Sequence, residues 1–304
     1  MWKVGDAEGC LPVEVLRKLS DELALALDGE KEVVFSGGEP LLYEGILDIV
    51  RIYTQKGLKV GIASNGVLIN KKMAGDLVDA GVKNIQLSLD SSHSETHDFL
   101  RGVKRVHEKV LKAAEYLSAY KDRINVCAQM VISGKNIHEV EDTVRFVKDS
   151  GVFSVISFMA VTTPFFTHAG ENWRQEGDFS FLWPRGKEAS SVLEKIIGMK
   201  RDRFPIANPV EQLKMFQSYF EDPASRKTGI VCRLGDYVVS IDPHADVRLC
   251  CFMEPIGNIK KQSLMNILDS EMADRYRKTM HDCNKVCNTI VNCFFQGPIL
   301  KAIN

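Results

Sequence analysis

Between residues 33 and 161 the chain alternates short β-branched runs with stretches of helical period, and few folds tolerate that rhythm. Strand-like runs occur at 33–36, 58–63, 82–89, 124–132 and 152–161. Apolar residues recur with helical spacing over 12–28, 41–56, 71–80, 103–120 and 137–150. Gly57, Gly81 and Gly151 each follow a helical stretch, where a left-handed residue ends a helix without steric cost. Strands separated by helices pair in parallel as βαβ units, so the spacing predicts an α/β fold. In such folds ligands sit beyond the C-terminal ends of the strands. The first strand ends there in Gly37-Gly38-Glu39-Pro40: two residues without Cβ, one carboxylate, and a proline that stops the ladder.

From residue 162 the rhythm breaks. Five prolines and two tryptophans punctuate 162–228, with one helical stretch at 188–199. From 229 short strands are expected at 237–241 and 246–249 around Asp242-Pro243-His244-Ala245, then one helix at 263–280. Six of the eight cysteines follow residue 230: Cys232, Cys250, Cys251, Cys283, Cys287 and Cys293. With no apolar leader near Met1, the chain reads as cytoplasmic, where such a cluster points to metal or iron–sulfur ligation before disulfides. A net charge of −1 gives no electrostatic case for nucleic acid or a membrane surface. No apolar run approaches the roughly 20 residues of a membrane span.

Three strand-end motifs in one order carry a resemblance. Gly37-Gly38-Glu39-Pro40, then Ser64-Asn65-Gly66, then Ser88-Leu89-Asp90 resemble the radical S-adenosylmethionine (radical SAM) enzymes. The continuation through His97-Asp98 to Arg101-Gly102 is similar to the subgroup with a C-terminal SPASM or twitch domain. The tail agrees: Cys232, the turn at Asp242-Pro243, Cys250, Gly257-Asn258-Ile259, Ser263-Leu264 and Cys283 follow that domain's order. The resemblance implies a partial (βα)6 TIM-like barrel lacking its first strand over 1–161. A connecting region with substrate contacts follows at 162–228, then a small cysteine-rich α+β auxiliary-cluster domain at 229–304.

The resemblance also implies cofactors: S-adenosylmethionine, a catalytic [4Fe–4S] cluster and a [4Fe–4S] auxiliary cluster. A 5′-deoxyadenosyl radical then takes a hydrogen atom from a peptide or small-molecule substrate, in oxidation or cross-linking. A flavodoxin or ferredoxin supplies electrons. Gly37, Gly38, Glu39 and Pro40 would face the methionyl ammonium, Ser64 and Asn65 would donate to the cofactor, and Ser88 and Asp90 would reach ribose hydroxyls. Arg101 would neutralise the methionyl carboxylate, and Met159 would pack on the adenine. Plainer roles compete: a simple turn at Ser64-Asn65-Gly66, an N-cap at Asp90, a surface charge at Arg101. The auxiliary metal set is Cys232, Cys250, Cys283 and Cys287, with Cys251 or Cys293 as alternates and zinc as the competing metal. His97 is expected to brace the loop to Arg101, His168 to lie on the surface, and Cys127 to fill core.

One departure stands out. The Cys-x3-Cys-x2-Cys motif of the catalytic cluster is absent, and Trp2 stands where the aromatic residue after its third cysteine belongs. This reads as an N-terminal truncation, which leaves the chain inactive alone and its first remaining strand on the sheet edge. The alternative is a degenerate, non-catalytic, metal-stabilised binding protein.

Overall fold

The computed structural model describes residues 10–26, 32–162, 172–223 and 231–283. Five parallel strands form one sheet in sequential order: β1 (Glu32–Phe35), β2 (Lys59–Ser64), β3 (Asn84–Ser88), β4 (Asn125–Ile132) and β5 (Val155–Ala160). The helices between them are α2 (Ile46–Gln55), α3 (Lys71–Ala80), the pair α4 (Ser94–Arg101) and α5 (Val106–Ser118), and α6 (Val140–Ser150). α1 (Val13–Ala26) precedes β1 and is tied to α2 by the Tyr53 hydroxyl, which donates to the Leu16 carbonyl at 2.9 Å.

In a parallel ladder, register partners point to the same side of the sheet. Ile62, Ile85 and Val126 are register partners, as are Met130 and Phe158, and all five are buried on the helix side. Each such aliphatic side chain contributes about 1.5–3 kcal/mol by leaving water. The opposite rows are Ala63, Gln86 and Cys127; Ser88, Gln129 and Ser157; and Val131 and Met159, all half-buried. The concave side of the sheet is therefore lined by small and polar groups. This is the parallel α/β sheet that the alternation predicts and the partial barrel that the resemblance implies, with β1 at the edge of the sheet and Val34 45% exposed there.

Beyond β5 the chain forms α7 (Gly186–Arg201) and α8 (Val210–Glu221), which pack on each other. Between them Pro205–Asn208 runs alongside β5: Ala207 N–H donates to Ile156 O, and the Asn208 side chain exchanges bonds with the backbone of Phe158. The C-terminal unit holds α9 (Leu234–Tyr237), the antiparallel strands β6 (Ser240–Ile241), β7 (Asp246–Arg248) and β8 (Gly257–Asn258), then α10 (Leu264–Leu268) and α11 (Glu271–His281). The Glu22 carboxylate of α1 accepts the Leu264 N–H of α10, joining the two ends of the described chain.

Several expected boundaries move for local reasons. The helix expected over 41–56 starts only at Ile46, because Gly45 sits at φ +84° and a 3-10 turn occupies Pro40–Leu42. The helix expected over 263–280 splits at Ser270, whose hydroxyl accepts the Ala273 N–H and caps α11. The strand expected from 237 is a single helical turn followed by a two-residue strand. α4 was not expected, since only Thr96 and His97 bury side chains on it and it has no apolar stripe. α8 does carry a signal: Pro209 is followed by Leu213, Phe216 and Phe220 at helical spacing.

Candidate active site at the C-terminal rim

At the end of β1 the backbone is bare. Ser36, Gly37 and Gly38 are exposed, and a Cβ built on either glycine would meet nothing within 4 Å. Gly37 has φ +135°, a conformation that side chains rarely adopt, so the turn requires glycine. Glu39 does not point away from the protein. Its carboxylate accepts from Ser64 Oγ at 2.8 Å, from the Asn65 N–H at 2.7 Å and from the Leu41 N–H at 3.2 Å. One carboxylate thus ties the ends of β1 and β2 together. A carboxylate offers about four lone-pair sites, so one acceptor position remains. Pro40 is buried and starts the 3-10 turn. Ser64-Asn65-Gly66 is a turn as well: Ser64 Oγ accepts the Gly66 N–H and Asn65 Oδ1 accepts the Val67 N–H.

Past β3, Asp90 is held from every side. Its N–H donates to His97 Nδ1 at 3.0 Å, and its carbonyl accepts from Asn136 Nδ2 at 2.7 Å. Oδ1 accepts the Val131 N–H at 3.2 Å, and Oδ2 lies 2.7 Å from Arg101 Nε. Asp90, which is buried, and Arg101 thus form an ion pair. The N-cap of α4 is His93, so Asp90 is no cap. Arg101 is 27% exposed in its side chain and is not a free surface charge.

His97 braces this arrangement as the sequence suggests. It is fully buried one helical turn before Arg101. Since Nδ1 accepts, the ring proton sits on Nε2, which finds no partner among the described residues. Burial, then the Arg101 guanidinium and His107, push its pKa from 6.5 down to about 3. The His107 ring stands edge-on at 5.5 Å. Asp98 accepts the His107 and Arg105 N–H groups and so fixes the start of α5. Glu139 accepts from Ser91 Oγ and Thr96 Oγ1, fastening α4 to the next βα unit. Neither Glu139 nor Asn136 was singled out by sequence; an acidic and an amide residue after a strand carry no motif.

Ser88 and Met159 lie half-buried on the concave side as their strand positions require. Cys127 is on that side too rather than in the core, and burial pushes its thiol up to about 12, so it is a poor nucleophile.

In the C-terminal unit Cys232 is buried, Cys250 and Cys283 are half-buried and Cys251 is exposed. The Phe252 N–H points to Cys250 Sγ at 3.5 Å, a donor contact that suits a metal-bound thiolate. The hairpin presenting Cys250 is pinned: Asp242 Oδ1 accepts from His244 and Asp246, and Asn258 Nδ2 donates to His244 O and Asp246 Oδ1. Among the described residues no three His, Cys, Asp or Glu side chains are grouped to hold a metal. Cys287 and Cys293 of the expected set lie outside the described residues, as do His168 and Trp2.

Residues 6–147 match the family model described as the radical SAM superfamily. Residues 232–294 match SPASM, an iron–sulfur cluster-binding domain. The chain carries a radical SAM domain and a SPASM domain. Together the two domains imply S-adenosylmethionine and [4Fe–4S] clusters as cofactors.

Among curated relatives, the AdoMet-dependent heme synthase of Methanosarcina barkeri is 31% identical over 157 residues, 51% of this chain and 43% of that protein. A GTP 3′,8-cyclase of Listeria monocytogenes is 32% identical over 190 residues, 55% of this chain and 53% of its own. The chain thus spans about half the length of the curated relatives it matches. Among solved structures, native anSMEcpe with bound AdoMet and Cp18Cys peptide superposes with TM-score 0.66 at 18% identity, covering 98% of this chain and 84% of that one. Streptococcus suis SuiB bound to S-adenosylmethionine gives TM-score 0.64 at 16% identity, covering 88% and 60%. At those identities the likeness is one of fold.

Among the described residues no helix is long and apolar enough to cross a membrane.

Proposed function

We propose that this chain provides the S-adenosylmethionine-binding face and auxiliary-cluster domain of a radical SAM enzyme acting on a peptide or small molecule by oxidation or cross-linking. One observation carries the reading: bare glycine backbone at the end of β1 stands beside the Glu39–Ser64 tie, and two strands on lies the buried Asp90–Arg101 pair. These residues fit a zwitterionic amino acid. The Gly37–Gly38 backbone and the remaining lone pair of Glu39 accept its ammonium, Arg101 draws its carboxylate, and Ser88 and Met159 line the floor towards the nucleoside. When bound to a reduced cluster, S-adenosylmethionine supplies the radical that removes a hydrogen atom from substrate. Cys232, Cys250, Cys283 and Cys287 would hold the auxiliary cluster, with Cys251 and Cys293 as alternates. Similar proteins include, by name, a peptide cyclase, a GTP cyclase and a heme synthase, which supports the substrate class no further than peptide or small molecule. A protein reductant such as flavodoxin or ferredoxin belongs to the same reading.

The 304 residues contain no Cys-x3-Cys-x2-Cys, and none of them is assigned to the catalytic cluster. That observation favours a second reading, a non-catalytic binding protein that keeps the cofactor pocket.

Calorimetric titration of the folded chain with S-adenosylmethionine tests the proposal. Saturable binding is expected, weakened at least tenfold in Arg101→Met. Absence of binding by a protein that still melts cooperatively overturns it. Joined to a segment that supplies Cys-x3-Cys-x2-Cys, the chain is expected to release 5′-deoxyadenosine under dithionite in the first reading and none in the second.

A further inference from the structure

Among the described residues, the half-buried arginines find acceptors in the protein, Arg51 at the surface on Asp48, with one exception. Arg101 pairs with Asp90, Arg248 donates to the Met253 carbonyl, and Arg277 donates to the Leu268 carbonyl. Arg174 differs. Its Nε is buried with no acceptor among the described residues, and no carboxylate there forms an ion pair with it. Three rings hold it instead: the guanidinium carbon lies 4.9 Å from the Trp183 ring centre, 5.3 Å from Trp173 and 6.0 Å from Tyr219. Cation–π contact fixes the position of the charge but does not satisfy in-plane N–H donors. A buried donor left open is costly and calls for a partner.

Backbone and side-chain hydrogen bonds hold this cluster at the rim. The Gly134 N–H, just past β4, donates to Leu182 O at 2.7 Å, and a Cβ on Gly134 would stand 2.6 Å from Phe181 O. The Tyr219 hydroxyl donates to the carbonyl of Val161, just past β5. Trp183 packs against Tyr219 at 5.2 Å between ring centres, so the cluster caps the C-terminal ends of β4 and β5. Gly37 and Gly38 end β1, at the other side of the same rim. With strands about 4.8 Å apart, the two places are separated by roughly 15–19 Å along the sheet.

We propose that Arg174 is an anchor for a carboxylate of the substrate. A planar guanidinium matches a carboxylate edge to edge, and the aromatic walls suit a singly charged group on an apolar body better than a phosphate dianion. Across that separation, a substrate held at Arg174 can present a C–H bond over the middle of the sheet. The role as substrate anchor rests on the function proposed above; the binding of a carboxylate does not.

Trp173 and Trp183 report directly. Fluorescence of the full chain is titrated, without S-adenosylmethionine, with N-acetylphenylalanine and its amide, and with N-acetylglutamic acid amide and its glutamine counterpart. The expected result is saturable quenching by at least one of the two acids, with its matching amide at least tenfold weaker. The two pairs distinguish a chain-terminal from a side-chain carboxylate. Arg174→Gln is expected to weaken the acid at least tenfold and Arg174→Lys to restore part of that loss. Acids and amides binding alike, phenyl phosphate binding more tightly than either acid, or Arg174→Gln binding as wild type overturns the proposal. The acid–amide comparison on wild type decides the matter even where a variant does not fold. Because no S-adenosylmethionine is present, failure of the cofactor titration leaves this result standing.

Discussion

Acidification should destabilise this protein through His97 before it reaches the range of ordinary carboxylates. The imidazole is buried neutral, with its pKa moved from 6.5 to about 3 by burial and by the neighbouring Arg101 and His107. The folded-state value lies below the unfolded one, so the unfolded chain binds the extra proton. The stability this group contributes is full above pH 6.5 and is lost progressively as pH falls towards 3. Between pH 7.5 and pH 5, the linkage relation gives a loss of roughly 2 kcal/mol from this residue alone. His107, also lowered chiefly by burial, adds to the slope in the acid range. The measurement is urea unfolding at pH 7.5, 6 and 5, on wild type and on His97→Asn. Asparagine can still accept the Asp90 N–H but does not titrate, so the variant should lose close to one proton's worth of pH dependence, about 1.4 kcal/mol per pH unit below pH 6. Equal slopes for the two proteins would refute the reasoning, as would a His97 proton resonance that titrates near pH 6.5 in the folded state.

Two further outcomes can be checked. Gly134→Ala should cost about 1–3 kcal/mol in thermal or urea unfolding, because the new methyl meets the rigid carbonyls of Phe181 and Trp183 at 2.6 and 2.8 Å; wild-type stability would remove the case for close packing at the end of β4. Cys250→Ser should lower iron bound after anaerobic reconstitution and the charge-transfer absorbance of the auxiliary cluster, whereas a colourless wild-type protein with one zinc per chain would assign the site to the competing metal.

Much of the barrel is readable from sequence because its signals are local and redundant. β-branched runs and helical spacing agree at each unit, glycines stop α2, α3 and α6, and the parallel order follows from them. The rim is readable in residues but not in bonds. Sequence brings Glu39, Ser64, Asp90 and Arg101 to the same end of the sheet. It cannot say that the first carboxylate is largely taken up by Ser64, Asn65 and Leu41, or that Asp90 and Arg101 face each other. Those outcomes depend on the distance between loops, which no local pattern encodes. α4 escaped because its buried residues are a threonine and a histidine, whose burial is bought by polar contacts with the neighbouring βα unit. Arg174 escaped for the opposite reason: it lies in a stretch without periodicity, and only the folded chain brings Trp173, Trp183 and Tyr219 around it.

The bond from Glu22 to the Leu264 N–H spans 242 positions. Closing so long a span costs only logarithmically more than a short one, so the penalty is affordable in free energy. In time it is different. A ribosome adds on the order of 5–20 residues each second, so α1 waits on the order of 10–50 s after its own synthesis before this partner exists. By then Tyr53 can already hold α1 against α2, so it is the link between α1 and the C-terminal unit that forms late.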